Sequence, residues 1–199
     1  KIDLDNKSPI ITVTFRLKYW NENQNDLDNY KNKLKDIFKS LHQKINASFL
    51  LIPNCTYRGV NPYQDDRFVH EEIYNFSRLN DLKYVHQINE ELNIKETLSI
   101  LELSNLHLSN RRHSCLFAAL NGINFIMIDN IGLVDHLKPI LNEVNLNDNH
   151  LNIDDSSETI VNKVLKIFKR NKEIKNQLNE KCKFLSKKAK DQVSYLLGI

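Results

Sequence analysis

Glycine and proline are scarce in this chain, and their scarcity narrows the range of possible folds. The 199 residues include only 4 glycines and 4 prolines, which argues against an all-β fold with many tight turns. No G-x-G-x-x-G follows the first predicted strand, and neither G-x-x-x-x-G-K-[S/T] nor G-x-S-x-G occurs. These absences argue against NAD-dependent chemistry, P-loop nucleotide chemistry and a serine hydrolase.

Cysteine is scarce as well, since Cys55, Cys115 and Cys182 stand alone without C-x-x-C spacing. We therefore expect no metal site and no disulfide framework, and we expect a reducing, cytoplasmic compartment. No apolar run approaches the roughly 20 residues that span a membrane, and no signal peptide precedes the first strand. The net charge of +3 is mild, which argues against a nucleic-acid partner.

Strand-like and helix-like patterns alternate along the chain. The predicted strands are short, β-branched runs at Ile10–Arg16, Ser48–Pro53, Tyr84–Ile88, Leu106–Ser109, Ile123–Asp129 and, more weakly, Leu151–Ile153. Apolar residues at helical spacing lie between them, and two helices, about Glu158–Phe168 and Lys172–Leu197, end the chain. Strands separated by helices predict an α/β fold with a doubly wound parallel sheet, of the Rossmann-like kind.

We predict one domain over residues 1–199, in which residues 157–199 form C-terminal helices that pack on the sheet domain. The chain begins with Lys1 rather than methionine. We therefore interpret it as a piece of a longer protein.

The most informative segment runs from Leu106 to Gly122. A short apolar strand breaks into the turn Asn110-Arg111-Arg112-His113, and an apolar helix follows, with Gly122 at its C-terminal end. The N-terminus of a helix favours an anion, and guanidinium groups add to that preference. The turn therefore predicts a phosphate or carboxylate site, although ordinary surface arginines and a capping histidine would explain the same residues.

The predicted topology adds a second argument for an anion site. Ligands of such sheets bind beyond the carboxyl ends of the strands, where the strand order reverses. In the common order 3-2-1-4-5-6 that point lies between the first and fourth strands, so Arg16 would face Arg111 and His113 across one crevice. These positive groups predict a small anionic ligand, and His113 is the group able to move a proton near neutral pH.

Other polar residues have simpler explanations. Asp65 and Asp66 stand where a helix would begin, so helix capping explains them better than a role in chemistry. His107 lies inside the fourth strand and is expected to be packed there. His70 lies on a helix without H-E-x-x-H spacing, and we expect it on a solvated face.

Together these residues resemble the C-terminal half of polysaccharide pyruvyl transferases, two-domain enzymes similar to GT-B glycosyltransferases. The resemblance covers about residues 10–146. The features that carry it are, in order, Val13-Thr14-Phe15-Arg16, Leu51-Ile52-Pro53, Asp65-Asp66, the turn with Ser109, Arg111 and His113, Phe117-Ala118-Ala119-Leu120, and Gly122.

The resemblance implies transfer of a pyruvyl group from phosphoenolpyruvate to a sugar of a cell-surface glycan. It implies that Arg16 and Arg111, with Asn110 and Ser114, bind this donor substrate, and that His113 is the general acid that protonates its methylene carbon. It implies no cofactor other than the donor substrate. The expected partners are the anionic donor, a glycan acceptor and a missing N-terminal acceptor domain, without which we expect this piece to be inactive.

The chain departs from the family pattern at two places. The segment Asp129–Leu133 lacks the lysine of a Tyr-Asp-x-Lys-like motif, and Arg112 replaces a small apolar residue between Arg111 and His113. A different donor substrate or an inactive relative therefore stays open. The alternatives are a GT-B glycosyltransferase domain that binds a nucleotide-sugar near Asp129, and a non-catalytic module that binds an anion or a glycan.

Overall fold

The computed structural model describes residues 8–16, 24–57, 64–76, 79–129 and 134–197. Within these residues six strands alternate with seven α-helices. The strands are β1 (Ile10–Thr14), β2 (Ser48–Leu51), β3 (Val85–Gln87), β4 (Leu106–Ser109), β5 (Phe125–Asp129) and β6 (His150–Asn152). The helices are α1 (Gln24–Ile45), α2 (Asp66–Phe76), α3 (Ile94–Glu102), α4 (Arg112–Leu120), α5 (Val134–Glu143), α6 (Ser157–Lys169) and α7 (Asn171–Leu197).

The six strands form one parallel sheet in the order β3-β2-β1-β4-β5-β6. The prediction of a doubly wound, Rossmann-like sheet is therefore confirmed, including the strand order on which the crevice argument depended. Strands β2 and β3 are added on one side of β1, and strands β4, β5 and β6 on its other side. The direction of the strand order therefore reverses between β1 and β4. There Thr14 lies opposite Ser109 in register, and the turns after both strands begin at the same edge.

The central strands are covered on both faces, which explains their β-branched and apolar sequences. Ile11 and Val13 of β1 are wholly buried. Helix α1 contacts both α2 and α6, and helix α4 contacts both α3 and α7. Between β2 and α1, Phe49 stacks on Phe38 with their ring centroids 4.3 Å apart.

Most element boundaries lie within two residues of the sequence prediction, and the differences at β3 and at the start of α4 are described here. The third strand, Val85–Gln87, is shorter than predicted by one residue at each end, although the backbone of Tyr84 and Ile88 still bonds to β2. Helix α4 begins at Arg112, two residues before the predicted start at Ser114. The Ser109 hydroxyl accepts a hydrogen bond from the Arg111 backbone N–H at 2.9 Å, which closes the turn early and lets the helix start sooner.

Asparagine takes the left-handed backbone positions that glycine often occupies. Asn46 and Asn145, just after α1 and α5, have φ values of 52° and 57°, a conformation that asparagine tolerates better than most residues. Gly122, after α4, has φ 64°, and a Cβ atom there would lie 2.2 Å from Oδ1 of Asn179 on α7. Gly122 is therefore required both by its backbone conformation and by the close approach of α7.

Amide side chains attach the start of α7 to the N-terminal edge of the sheet. The Asn124 amide donates to Oδ1 of Asn171, and the Asn171 amide donates to the Asn105 carbonyl at 2.7 Å. Asn149 donates to Oδ1 of Asn124 at 2.8 Å. This edge is opposite to the strand ends that carry Arg16 and the Asn110–His113 turn.

Candidate functional site

The turns after β1 and β4 are joined directly at the carboxyl edge of the sheet. The Arg16 backbone N–H donates to Oδ1 of Asn110 at 2.6 Å, and the Asn110 amide donates back to the Arg16 carbonyl at 2.7 Å. The structure therefore brings Arg16 and the Asn110–His113 turn together at one edge of the sheet, as the strand order predicted. Both polar atoms of the Asn110 side chain are used in this bridge, so its predicted contact with a donor substrate stays a prediction.

The N-terminus of α4 lies at this same edge of the sheet and has no side-chain cap. Arg111 is the N-cap residue, with extended backbone and no capping hydrogen bond from its own side chain. The first N–H groups of a helix have no partner within the helix, and they carry the positive end of its dipole. Arg112 and His113, both exposed, occupy the first turn of α4, so the turn combines a helix N-terminus with basic side chains.

The side chain of Arg111 reaches across to the start of α2. Its Nε–H donates to Oδ1 of Asp66 at 2.9 Å. Its Nη2 group donates to the same carboxylate oxygen and to the Gln64 carbonyl at 3.1 Å. The Arg111 side chain is 13% exposed and that of Asp66 is 0% exposed, so this ion pair is largely removed from water.

Asp66 is held on its other side by the loop after β2. Its Oδ2 atom accepts hydrogen bonds from the backbone N–H groups of Asn54 at 3.0 Å and Cys55 at 2.8 Å. Burial raises the pKa of Asp66, while Arg111 and these two N–H groups act in the opposite direction. The carboxylate therefore links three segments, namely the loop after β2, the start of α2 and the N-cap of α4.

Both aspartates lie where the sequence placed them, since α2 begins at Asp66, but only Asp65 acts as a helix cap. Oδ1 of Asp65 accepts a hydrogen bond from the Arg67 backbone N–H at 2.9 Å, as an N-cap residue does. Its carboxylate also pairs with the Arg67 guanidinium at 2.7 Å. Asp66 instead points into the fold and pairs with Arg111, a partner 45 residues away that sequence spacing could not indicate.

The prediction that His70 lies on a solvated face is wrong, because the side chain is wholly buried. Its Nε2 atom accepts a hydrogen bond from the Phe15 backbone N–H at 3.0 Å. Burial, followed by the nearby charge of Arg111, lowers the pKa of His70 to about 3, so the ring is neutral at physiological pH. The burial of His70 could be predicted from helical spacing. One face of α2 carries a buried stripe of four residues, namely Asp66, Val69, His70 and Ile73.

The prediction for His107 is confirmed, because both ring nitrogens have partners inside the fold. Nδ1 lies 2.9 Å from Oγ1 of Thr12, and Nε2 lies 2.6 Å from Oγ of Ser114. Burial lowers the pKa of His107 to about 3. Ser114 is 1% exposed and also donates to Thr14 at 3.2 Å. Its side chain thus belongs to this buried network, and its predicted contact with a donor substrate stays a prediction.

Several features predicted from the sequence fall outside the described residues. The departure from the family motif at residues 130–133 lies there, as do residues 17–23 after Arg16. In the parts of the chain that are described, no group of three or more His, Cys, Asp or Glu side chains could hold a metal ion. Among the described helices, none has both the length and the apolar character needed to cross a membrane.

Residues 3–132 match the family model described as Polysaccharide pyruvyl transferase. The chain belongs to this family. The match runs from before β1 to beyond β5, so Arg16, Asp66, Arg111 and His113 all lie within the part of the chain that carries the family pattern. A comparison with curated protein sequences gives no match.

Solved structures show that this pyruvyl transferase family member shares its fold with glycosyltransferases and epimerases. A mutant O-GlcNAc transferase from Thermobaculum terrenum is 11% identical with a TM-score of 0.61, and the match covers 92% of this chain and 33% of that one. The UDP-GlcNAc 2-epimerase of Neisseria meningitidis, bound to UDP-GlcNAc, is 13% identical with a TM-score of 0.51, covering 92% and 44%. This chain thus spans less than half the length of either protein.

One structural relative has nearly the same extent as this chain. It is the C-terminal domain of a group 1 glycosyl transferase from Francisella tularensis, which is 14% identical with a TM-score of 0.56, covering 92% of this chain and 89% of that one. At such low identity the three relatives establish the fold alone. The residues that could perform chemistry have to be argued from this chain itself.

Proposed function

We propose that this chain binds phosphoenolpyruvate in the crevice between β1 and β4, as the donor-binding part of an enzyme that adds a pyruvyl group to a sugar of a cell-surface glycan. Membership of the pyruvyl transferase family over residues 3–132 supports the class of reaction. The observation that carries the proposal is the double hydrogen bond between Asn110 and the Arg16 backbone, at 2.6 and 2.7 Å. It places an arginine-bearing turn beside the uncapped N-terminus of α4.

The charges at this edge suit the two anionic groups of phosphoenolpyruvate. A carboxylate and a phosphate each favour guanidinium donors and helix N-termini. We assign Arg16 and Arg111 to these two groups, with the first N–H groups of α4 as further donors. His113, exposed in the first turn of α4, is the proposed general acid.

In the proposed reaction, His113 gives a proton to the methylene carbon while a sugar hydroxyl attacks the adjacent enol carbon. The phosphate then leaves, and a second sugar hydroxyl completes the pyruvate ketal. Of the two hydroxyl protons released, one replaces the proton that His113 gave and the other ends on the phosphate. The residues described here would bind the donor substrate and supply that proton. The glycan acceptor would be bound by a part of the enzyme other than these residues.

The test is calorimetric titration of the chain with phosphoenolpyruvate, inorganic phosphate and UDP in separate experiments. We expect phosphoenolpyruvate to bind more tightly than phosphate, because it offers two anionic groups. Arg16→Ala should weaken phosphoenolpyruvate binding roughly 10- to 100-fold, the cost of losing charge-assisted hydrogen bonds. Arg170→Ala is the matched control, because Arg170 pairs with Glu173 at an exposed position away from the crevice.

Two outcomes would contradict the proposal and favour one of the alternatives. Binding of UDP without binding of phosphoenolpyruvate would favour a domain that takes a nucleotide-sugar. Failure to bind any of the three would favour a relative that has kept the fold and lost the chemistry.

A further inference from the structure

Two neighbouring carboxylates at the start of α2 each hold an arginine, but in different places. Asp65 pairs with Arg67 two residues along the same chain, with an Nη2–Oδ2 distance of 2.7 Å. Asp66 pairs with Arg111 at the N-cap of α4. The two acids have the same charge and nearly the same position. Only Asp66 contacts an arginine to which the proposed function gives a role.

We propose that Asp66 is a positioning residue that fixes the Arg111 guanidinium in the orientation that receives an anionic ligand. This inference rests on the proposed function, because it assumes that Arg111 meets the anion. It goes further, because it gives a role to a buried acid that never touches the ligand.

The hydrogen bonds of Arg111 show which edge of its guanidinium stays available. A guanidinium has five N–H donors in one plane. The Nε–H donor and one Nη2 donor are used by Asp66, and Nη2 also donates to the Gln64 carbonyl. No hydrogen bond of Nη1 is found among the described residues. We therefore assign Nη1 as the donor that meets the phosphate or carboxylate.

Asp66 is itself immobilised, which is what positioning requires. Its second oxygen accepts two backbone N–H groups, from Asn54 and Cys55, and its side chain is 0% exposed. If Arg111 rotated away, a carboxylate would remain buried without its ion-pair partner, which is unfavourable. The arginine is thus ordered before any ligand arrives, and the ligand does not have to order it.

The same helix also holds the turn that carries Arg16. His70, one helical turn after Asp66, accepts the Phe15 backbone N–H through Nε2 at 3.0 Å, next to the point where Asn110 holds Arg16. Helix α2 therefore contacts both arginine-bearing turns, one through Asp66 and the other through His70. This arrangement fixes the two turns relative to each other.

The test uses the sign of an affinity change, because charge and positioning predict opposite signs. Asp66→Asn removes a negative charge close to the anion site, so electrostatics alone would make phosphoenolpyruvate and phosphate bind more tightly. If Asp66 positions Arg111, the same variant binds both anions about two- to tenfold more weakly, the cost of ordering one long side chain. Asp65→Asn is the matched control, since it removes an equal charge one residue away and leaves Arg111 held. We expect its affinity to equal or exceed that of the wild type.

Each variant is titrated at a temperature where circular dichroism shows it folded, so that a loss of stability is not counted as a loss of affinity. Unchanged or tighter anion binding by Asp66→Asn would overturn the inference while leaving the proposed function intact. If the wild-type chain binds neither anion, the proposed function and this inference both fail, and the wild-type titration alone shows it.

If Asp66→Asn does not fold, Arg111→Lys gives a second test. Lysine keeps the charge beside Asp66 but has no planar set of donors with which to contact the carboxylate and the ligand in fixed directions. We expect anion binding to weaken about two- to tenfold. Wild-type affinity in Arg111→Lys would show that a point charge suffices and would overturn the inference.

Discussion

Removing Arg111 should destabilise the fold severely, because it leaves the Asp66 carboxylate buried without a counter-ion. The Asp66 side chain is 0% exposed and that of Arg111 is 13% exposed, so solvent screens this pair only weakly. Removing one partner of a buried ion pair costs about 3–5 kcal/mol. For a domain of this size such a loss lowers the melting temperature by roughly 6–20 °C. Arg111→Ala should therefore melt far below the wild type in differential scanning calorimetry.

A double variant distinguishes the effect of the unpaired Asp66 charge on stability from the effect of losing the packing of the Arg111 side chain. In Arg111→Ala/Asp66→Asn the buried group is neutral, and its amide oxygen can still accept a backbone N–H from the loop after β2. We expect the double variant to regain roughly 1–3 kcal/mol relative to Arg111→Ala. Arg170→Ala, which opens the exposed pair with Glu173, should melt close to the wild type and serves as the control. A double variant less stable than Arg111→Ala would refute the account of Asp66 as a buried, paired charge.

The pH dependence of Arg111→Ala provides an independent check on the same reasoning. Burial raises the pKa of Asp66 and Arg111 opposes the rise, so the variant should have a still higher Asp66 pKa. A carboxyl whose folded pKa exceeds its unfolded value destabilises the fold above the folded pKa, and this penalty disappears as pH falls toward the unfolded value near 4. The stability gap between Arg111→Ala and the wild type should therefore be smaller at about pH 4.5 than at about pH 7.5. A gap that widens on acidification would contradict the assignment.

Two further predictions concern Gly122 and His70. Gly122→Ala should lower the free energy of unfolding in urea by about 1–3 kcal/mol, because its φ is 64° and the new Cβ would meet Asn179 at 2.2 Å. Adding Asn179→Ala should recover part of the loss, and no recovery would show that the contact with α7 is not responsible. The pKa of His70 is lowered to about 3 in the fold against about 6.5 when unfolded, so its contribution to stability is complete above about pH 6.5 and is lost as pH falls toward 3. His70→Gln should make the decline in stability between these values less steep, while His107 and the carboxyl groups that titrate in this range contribute the slope that remains. An unchanged slope would contradict the burial of a neutral His70.

The sheet and the place of the crevice could be predicted from the sequence because they depend on local patterns. Short β-branched runs such as Ile10–Thr14, separated by helical spacing, leave few topologies once crossovers are right-handed. The common strand order then brings the end of β1 beside the end of β4, which the structure confirms. The capping role of Asp65 was predictable for the same reason, since a cap acts within a few residues of itself.

The partners of the site residues could not be predicted in the same way, because each partner is distant in sequence. From the sequence alone Arg111 resembles an exposed surface arginine, because only the fold brings Asp66 beside it. His70 is different, since the stripe that it shares with Val69 and Ile73 already marks the buried face of α2. The helical spacing therefore indicated a buried His70, whereas Glu71 and Glu72, which follow it, suggested a solvated face. The structure shows that the spacing was the better guide. Ser114 is similar, because Ser114, Cys115 and Ala118 lie on the buried side of α4.

The proposed anion site therefore depends on pairings between turns as much as on its positive charges. Asn110 joins the turn after β4 to Arg16, while Asp66 joins the start of α2 to Arg111. Replacing Arg111 by alanine would combine two effects. It would remove a ligand contact, and it would leave the buried Asp66 carboxylate without its counter-ion. At Arg16 the hydrogen bonds to Asn110 come from the backbone, so Arg16→Ala leaves that bridge between the two turns in place. Arg16→Ala therefore tests ligand binding without removing the bridge, and Asp66→Asn tests how Arg111 is oriented.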